Sequence, residues 1–150
     1  MKKKKFFIII TVMGVLLALY LVLVQPKHEA EYSFAGYNGK VVILTIGNRD
    51  FQNIHIRDVL VNIVDKPEIA KIQLQQEQKG FAISETFDDP RYTFTDYDAV
   101  AIEPGTALKG DAENLPSPYG LTVKDSTAIP SVTIVYEFLG KEFKETVIID

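Results

Sequence analysis

Residues 6–24 read FFIIITVMGVLLALYLVLV, nineteen consecutive positions without a charge. At about 1.5 Å of rise per residue, a helix of that length matches the roughly 30 Å hydrocarbon core of a bilayer. A helix buried in a protein core usually keeps a polar face, and this one offers only Thr11 and Tyr20. Lys2, Lys3, Lys4 and Lys5 precede the run, and Lys27 is the lone cation close behind it. The excess of cations on one flank predicts a cytoplasmic N-terminus and an extracytoplasmic remainder. Pro26 biases Gln25 away from helical geometry and closes the segment. The competing reading is a cleaved signal peptide. Its apolar stretch is usually about 7–15 residues and is followed by small residues, whereas cleavage after Ala30 would place His28 where a small residue is wanted. The expectation is an uncleaved signal anchor. It gives a cytoplasmic tail at 1–5, a transmembrane anchor at 6–24, a juxtamembrane stalk at 25–31 and one extracytoplasmic domain at 32–150.

Setting aside the four N-terminal lysines leaves 12 Lys and Arg against 20 Asp and Glu, a formal charge of −8. That balance argues against nucleic acid as a partner, since phosphate recognition needs a basic footprint. The chain has no Cys. A disulfide framework, a thiolate metal site and a cysteine nucleophile are therefore excluded.

After Pro26 no long window carries a 3.6-residue apolar period, and the patterns are those of strands. KVVILTI at 40–46 is continuous and β-branched, as in a strand buried on both sides, and GNRD at 47–50 is turn chemistry. In NIHIRDVLVNI, at 53–63, Ile54 and Ile56 alternate with polar neighbours. At Asp58 the alternation slips, and Val59, Val61 and Ile63 continue on the other parity. Such a slip predicts a bulge or two strand segments. Further strands are predicted at 69–74, 80–87, 92–102 and 121–123, with a short helical turn near 107–115. The final hairpin joins 131–138 to 142–149 through Gly140-Lys141, read as a type II′ turn with Gly first. That register sets Phe138 against Phe143, Ile134 against Val147 and Glu137 against Lys144.

Seven or eight short strands in this span predict an all-β, antiparallel sandwich or barrel. From KVVILTIGNRDFQNIHIRDVLVN to SVTIVYEFLGKEFKETVIID, the chain resembles the immunoglobulin-like or fibronectin-type β-sandwich ectodomains of small single-pass exported bacterial proteins. The Cys…Trp…Cys core of antibody-type domains is missing. The resemblance implies a binding or spacer role by analogy with the superfold.

Chemistry-bearing patterns are sparse. His28 falls in the stalk and His55 between Ile54 and Ile56, so both read as surface histidines and neither as a catalytic base. No nucleophile elbow, phosphate loop or metalloprotease motif is present. The acidic centre is the distinctive feature. DDPRYTFTDYD at 88–98 holds four carboxylates, Asp88, Asp89, Asp96 and Asp98, which are the calcium candidates. Asp96 and Asp98 share a strand parity. The alternative for the same residues is a solvated acidic face. LPSPYG at 115–120 is read as a crossover loop in preference to a contact loop. The expected function is a membrane-anchored, extracytoplasmic binding or accessory module without enzymatic activity or cofactor. Its partner would be another membrane protein or a cell-wall component. The rival reading is a metal-dependent envelope enzyme or calcium-dependent adhesion domain built on residues 88–98.

Overall fold

An apolar helix runs directly into a β-rich domain. The structure, a computed structural model, describes residues 2–75 and 80–149. Helix α1 spans Lys2–Leu23 and closes with Val24 N–H donating to the Tyr20 carbonyl at 3.0 Å, two residues before Pro26. Among the described residues it is the one helix long and apolar enough to cross a membrane, and none of that stretch is buried against protein.

Eleven strands follow among the described residues: β1 (His28–Gly36), β2 (Val41–Asn48), β3 (Ile54–Val61), β4 (Ile69–Leu74), β5 (Thr93–Asp96), β6 (Ala101–Ile102), β7 (Thr106–Ala107), β8 (Leu115–Pro116), β9 (Tyr119–Lys124), β10 (Ser131–Phe138) and β11 (Lys141–Ile148). One sheet runs β5-β4-β9-β2-β7-β8, with β1 on the other edge of β2. The second runs β11-β10-β3-β6. β7 and β8 are parallel, so the first sheet is mixed and not antiparallel throughout. Both sheets feed one core: Val42, Leu44, Ile46, Ile72, Leu121 and Val123 from the first, Ile54, Ile56, Val59, Ile134 and Phe138 from the second. β2 is buried on both faces, as its continuous apolar run predicts.

The bulge in β3 lies where the alternation slips. Val135 pairs with Asp58 and Tyr136 with Ile56, which leaves Arg57 as the extra residue. Ile54, Ile56, Val59 and Val61 are all buried as a result.

The hairpin differs from its predicted register by two residues. Phe138 pairs with Lys141, Tyr136 with Phe143 and Val132 with Val147, so the turn is Leu139-Gly140. Both turn residues have positive φ, 51° and 75°, the signature of a type I′ turn with Gly second. A shift of two keeps every side chain on its face, so the apolar side is unchanged. Glu137 faces Glu142 in place of Lys144, and pairs sideways with Arg57 on β3 at 2.8 Å.

Other expectations also gave way to tertiary structure. Residues 28–31, read as stalk, are paired as the start of β1, from His28 opposite Asn48. Residues 80–87 form no strand; they lie across the outer face of the first sheet. There Phe81 crowds Gly120 and Ile83 crowds Gly36 so closely that a Cβ on either glycine would stand within 3 Å of the covering side chain. The 92–102 segment is broken. β5 joins the first sheet, a 3-10 turn follows at Tyr97–Ala99, and β6 joins the second sheet. No helical turn forms at 107–115, where β7 and β8 bracket a loop.

Candidate functional site

The four candidate carboxylates do not converge. Asp88 accepts a hydrogen bond from the Thr86 hydroxyl. Asp89 is gripped by Arg91, Nε to Oδ1 at 3.0 Å and Nη2 to Oδ2 at 2.7 Å, and this holds its carboxyl down at about 2. Asp96 ends β5 and pairs with Lys71 at 3.2 Å. Asp98 sits on the 3-10 turn, so strand parity does not align it with Asp96. Among the described residues no three His, Cys, Asp or Glu side chains are grouped to hold a metal ion.

The residues after α1 are more tightly organised. The side chain of His28 is fully buried, which corrects its reading as a surface residue in a mobile stalk. Its Nδ1 meets the Glu145 carboxylate on β11, and its ring stacks on Tyr136 of β10 with centroids 4.3 Å apart. Phe143 stacks on the same tyrosine at 5.8 Å. Burial, with Glu145 and Asp50 nearby, pushes the Tyr136 phenol up to about 12. Nε2 of His28 is buried without a hydrogen-bond partner.

Asn48, at the end of β2, arranges this end of the domain and went unnoticed in the sequence, where GNRD reads simply as a turn. It is fully buried. Its Nδ2 donates to the carbonyls of Gln52 and Ile102, both at 2.8 Å, and its Oδ1 accepts from Asp50 N–H at 3.0 Å. Asp50 in turn accepts from Lys27 N–H at 2.6 Å, while Arg49 N–H donates to the Lys27 carbonyl at 3.2 Å. The Arg49 guanidinium bridges Glu29 at 2.6 Å and Asp111 at 2.8 Å. The chain leaving α1 is therefore tied to the 48–53 loop by backbone and side chain alike.

The opposite end of the domain lies about 25 Å away, eight strand residues along β1. Three loops are laced together there. Ile129 N–H donates to the Gly39 carbonyl, Asp125 N–H to Lys40 and Asn62 N–H to Ser131, at 2.9, 2.9 and 3.2 Å. This end carries exposed apolar side chains, Ile63 at 65 % and Val64 at 74 %. Ile63 has φ +78°, a conformation that a β-branched residue resists. The 62–64 loop is closed by a double hydrogen bond between Val61 and Asp65, at 2.8 and 2.9 Å. The 115–120 segment, read as a crossover between sheets, instead joins two strands of the first sheet, β8 and β9, and the buried Ser117 hydroxyl between them donates to the Ile46 carbonyl.

Comparison of the chain with known families, characterised proteins and solved structures finds no match in any of the three.

Proposed function

We propose that this chain is a single-pass, membrane-anchored binding module without enzymatic activity, its immunoglobulin-like sandwich held on the outer face of the cell membrane. The observation that carries the reading is α1, an apolar helix of membrane-spanning length with no residue of that stretch buried inside the protein, which passes into a paired strand within five residues. An apolar face that no protein covers needs lipid. The lysines before it favour a cytoplasmic N-terminus. The scattered carboxylates of 88–98, with Asp88, Asp89 and Asp96 each held by a different partner, support a module over a metal-dependent enzyme.

The far-end loops are the binding surface in this reading. Ile63 and Val64 are apolar, exposed and held in a strained turn that three backbone-linked loops keep in place. Strain retained at an exposed position is more readily explained by contact with a partner than by folding. Apolar tips suit a protein neighbour in the membrane better than a polar cell-wall glycan. A photocrosslinker at Val64 in native membranes tests this. The reading predicts a discrete protein adduct that Ile63→Asp abolishes. Adducts with cell-wall glycan alone, or no adduct, would overturn the choice of partner.

A further inference from the structure

The end of the domain next to α1 presents two features without a role in partner binding. The Lys141 ammonium, directly after the Leu139-Gly140 turn, lies over the Tyr20 ring, 5.5 Å from its centroid. Phe51 is 65 % exposed, although its ring meets Phe138 edge-on at 5.8 Å, and it lines a cleft with Val22 and Leu23. Two separate connections, 48–53 and 139–141, are thus level with the last turn of the helix.

Depth follows from length. The nineteen-residue apolar run uses up the roughly 30 Å of hydrocarbon, so its last turn, about 6 Å, lies where acyl chains meet headgroups. Groups that touch that turn lie at the same depth. We propose that the 48–53 loop and the 139–141 turn dock into the headgroup layer of the outer leaflet. Phe51 inserts at the acyl boundary, and Lys141, whose ammonium lies over Tyr20, swings it up on its flexible stem to the phosphates. The occupant is the phospholipid surface, because the patch is continuous with an apolar helix none of whose membrane-length stretch is buried inside the protein. A tyrosine ring beside a long cation, as Tyr20 and Lys141 are placed, is also the usual interfacial pairing. The loop is braced for the task. Asn48 holds Gln52 and Asp50 on either side of Phe51, so the ring is presented outward.

This inference rests on the reading that α1 spans the bilayer, and the test separates the two. The chain has no tryptophan, so each substitution creates a single probe. Full-length Phe51→Trp, Asn53→Trp, Ile63→Trp and Leu21→Trp are reconstituted in phosphatidylcholine–phosphatidylglycerol vesicles whose upper acyl carbons carry bromine. The proposal predicts strong quenching at position 21, several-fold stronger quenching at 51 than at 63, and protection of position 51 from aqueous iodide. The probe at 53 serves if Phe51→Trp fails to fold, and should also exceed position 63. Quenching at 21 with positions 51 and 53 no different from 63 overturns the docking and leaves the anchor standing. No quenching at 21 overturns both.

Discussion

His28 and Glu145 lie 117 residues apart in sequence and meet in space, and their contact fastens the strand that leaves the helix to the last strand of the chain. The His28 side chain is fully buried and stacked on Tyr136, so its nitrogens have no water to turn to. Glu145→Ala should therefore cost about 1–3 kcal/mol, the usual penalty for orphaning a buried polar group. The double change His28→Phe with Glu145→Leu removes both polar partners and should cost clearly less than the two single losses added together. Thermal melts of the full chain in detergent give both numbers. Additive losses would mean that the contact contributes nothing of its own.

Tyr136 gives the domain an alkaline limit. Its phenol is raised from about 10 to about 12 by burial, with Glu145 and Asp50 adding repulsion. Between those values the unfolded chain releases a proton that the folded chain retains, so stability falls as pH rises from 10 towards 12. Below pH 10 both states hold the proton and the effect vanishes. Tyr136→Phe should flatten that part of the stability curve. Denaturant midpoints measured from pH 8 to 12 on both proteins check the sign.

The hairpin turn needs positive φ at both central residues, and Gly140 meets the demand at 75° without strain. Gly140→Val should lower stability by about 1–2 kcal/mol, the cost of forcing a branched residue into the left-handed region. An unchanged melting temperature would show that the turn is drawn wrongly.

Ile63 sits at φ +78° and is largely exposed. Ile63→Gly should stabilise the fold by roughly 1 kcal/mol through relief of strain. The same change should weaken partner capture. A variant that is both more stable and unimpaired in crosslinking would contradict the role given to this loop.

Calcium should leave the melting temperature where sodium of equal ionic strength leaves it. A cage on Asp88, Asp89, Asp96 and Asp98 would instead add about 2.7 kcal/mol once free metal reached about a hundred times its dissociation constant. A saturable, calcium-specific rise lost in the double variant Asp96→Asn, Asp98→Asn would revive the metal reading.

What was legible in the sequence was local. Nineteen apolar residues mark a helix whatever surrounds them, and the slip at Asp58 marks a bulge because burial reads parity residue by residue. β4 is found at its predicted bounds, Ile69–Leu74. What was not legible depends on partners distant in sequence. HEAE at 28–31 looks like a polar stalk because its pairing partner is β2 and the histidine's acceptor lies on β11. FAIS at 81–84 alternates like a strand. Its apolar side chains nonetheless pack onto Gly36 and Gly120 of the first sheet, a packing that needs no ladder. The hairpin's two-residue error came from turn type, since Leu139 in the left-handed region is disfavoured by propensity and tolerated here by packing against the core. Asp96 and Asp98 lost their shared parity when the strand switched sheets through a 3-10 turn.

The central claim is a chain threaded once through the membrane, cytoplasmic at its N-terminus, with the strained loops displayed outside. Because the sequence has no cysteine, Lys3→Cys and Ile63→Cys each give a single thiol to follow. A membrane-impermeant maleimide added to intact cells should label position 63 at once and position 3 only after the membrane is breached. The reverse pattern, or equal labelling of both in intact cells, would contradict the account.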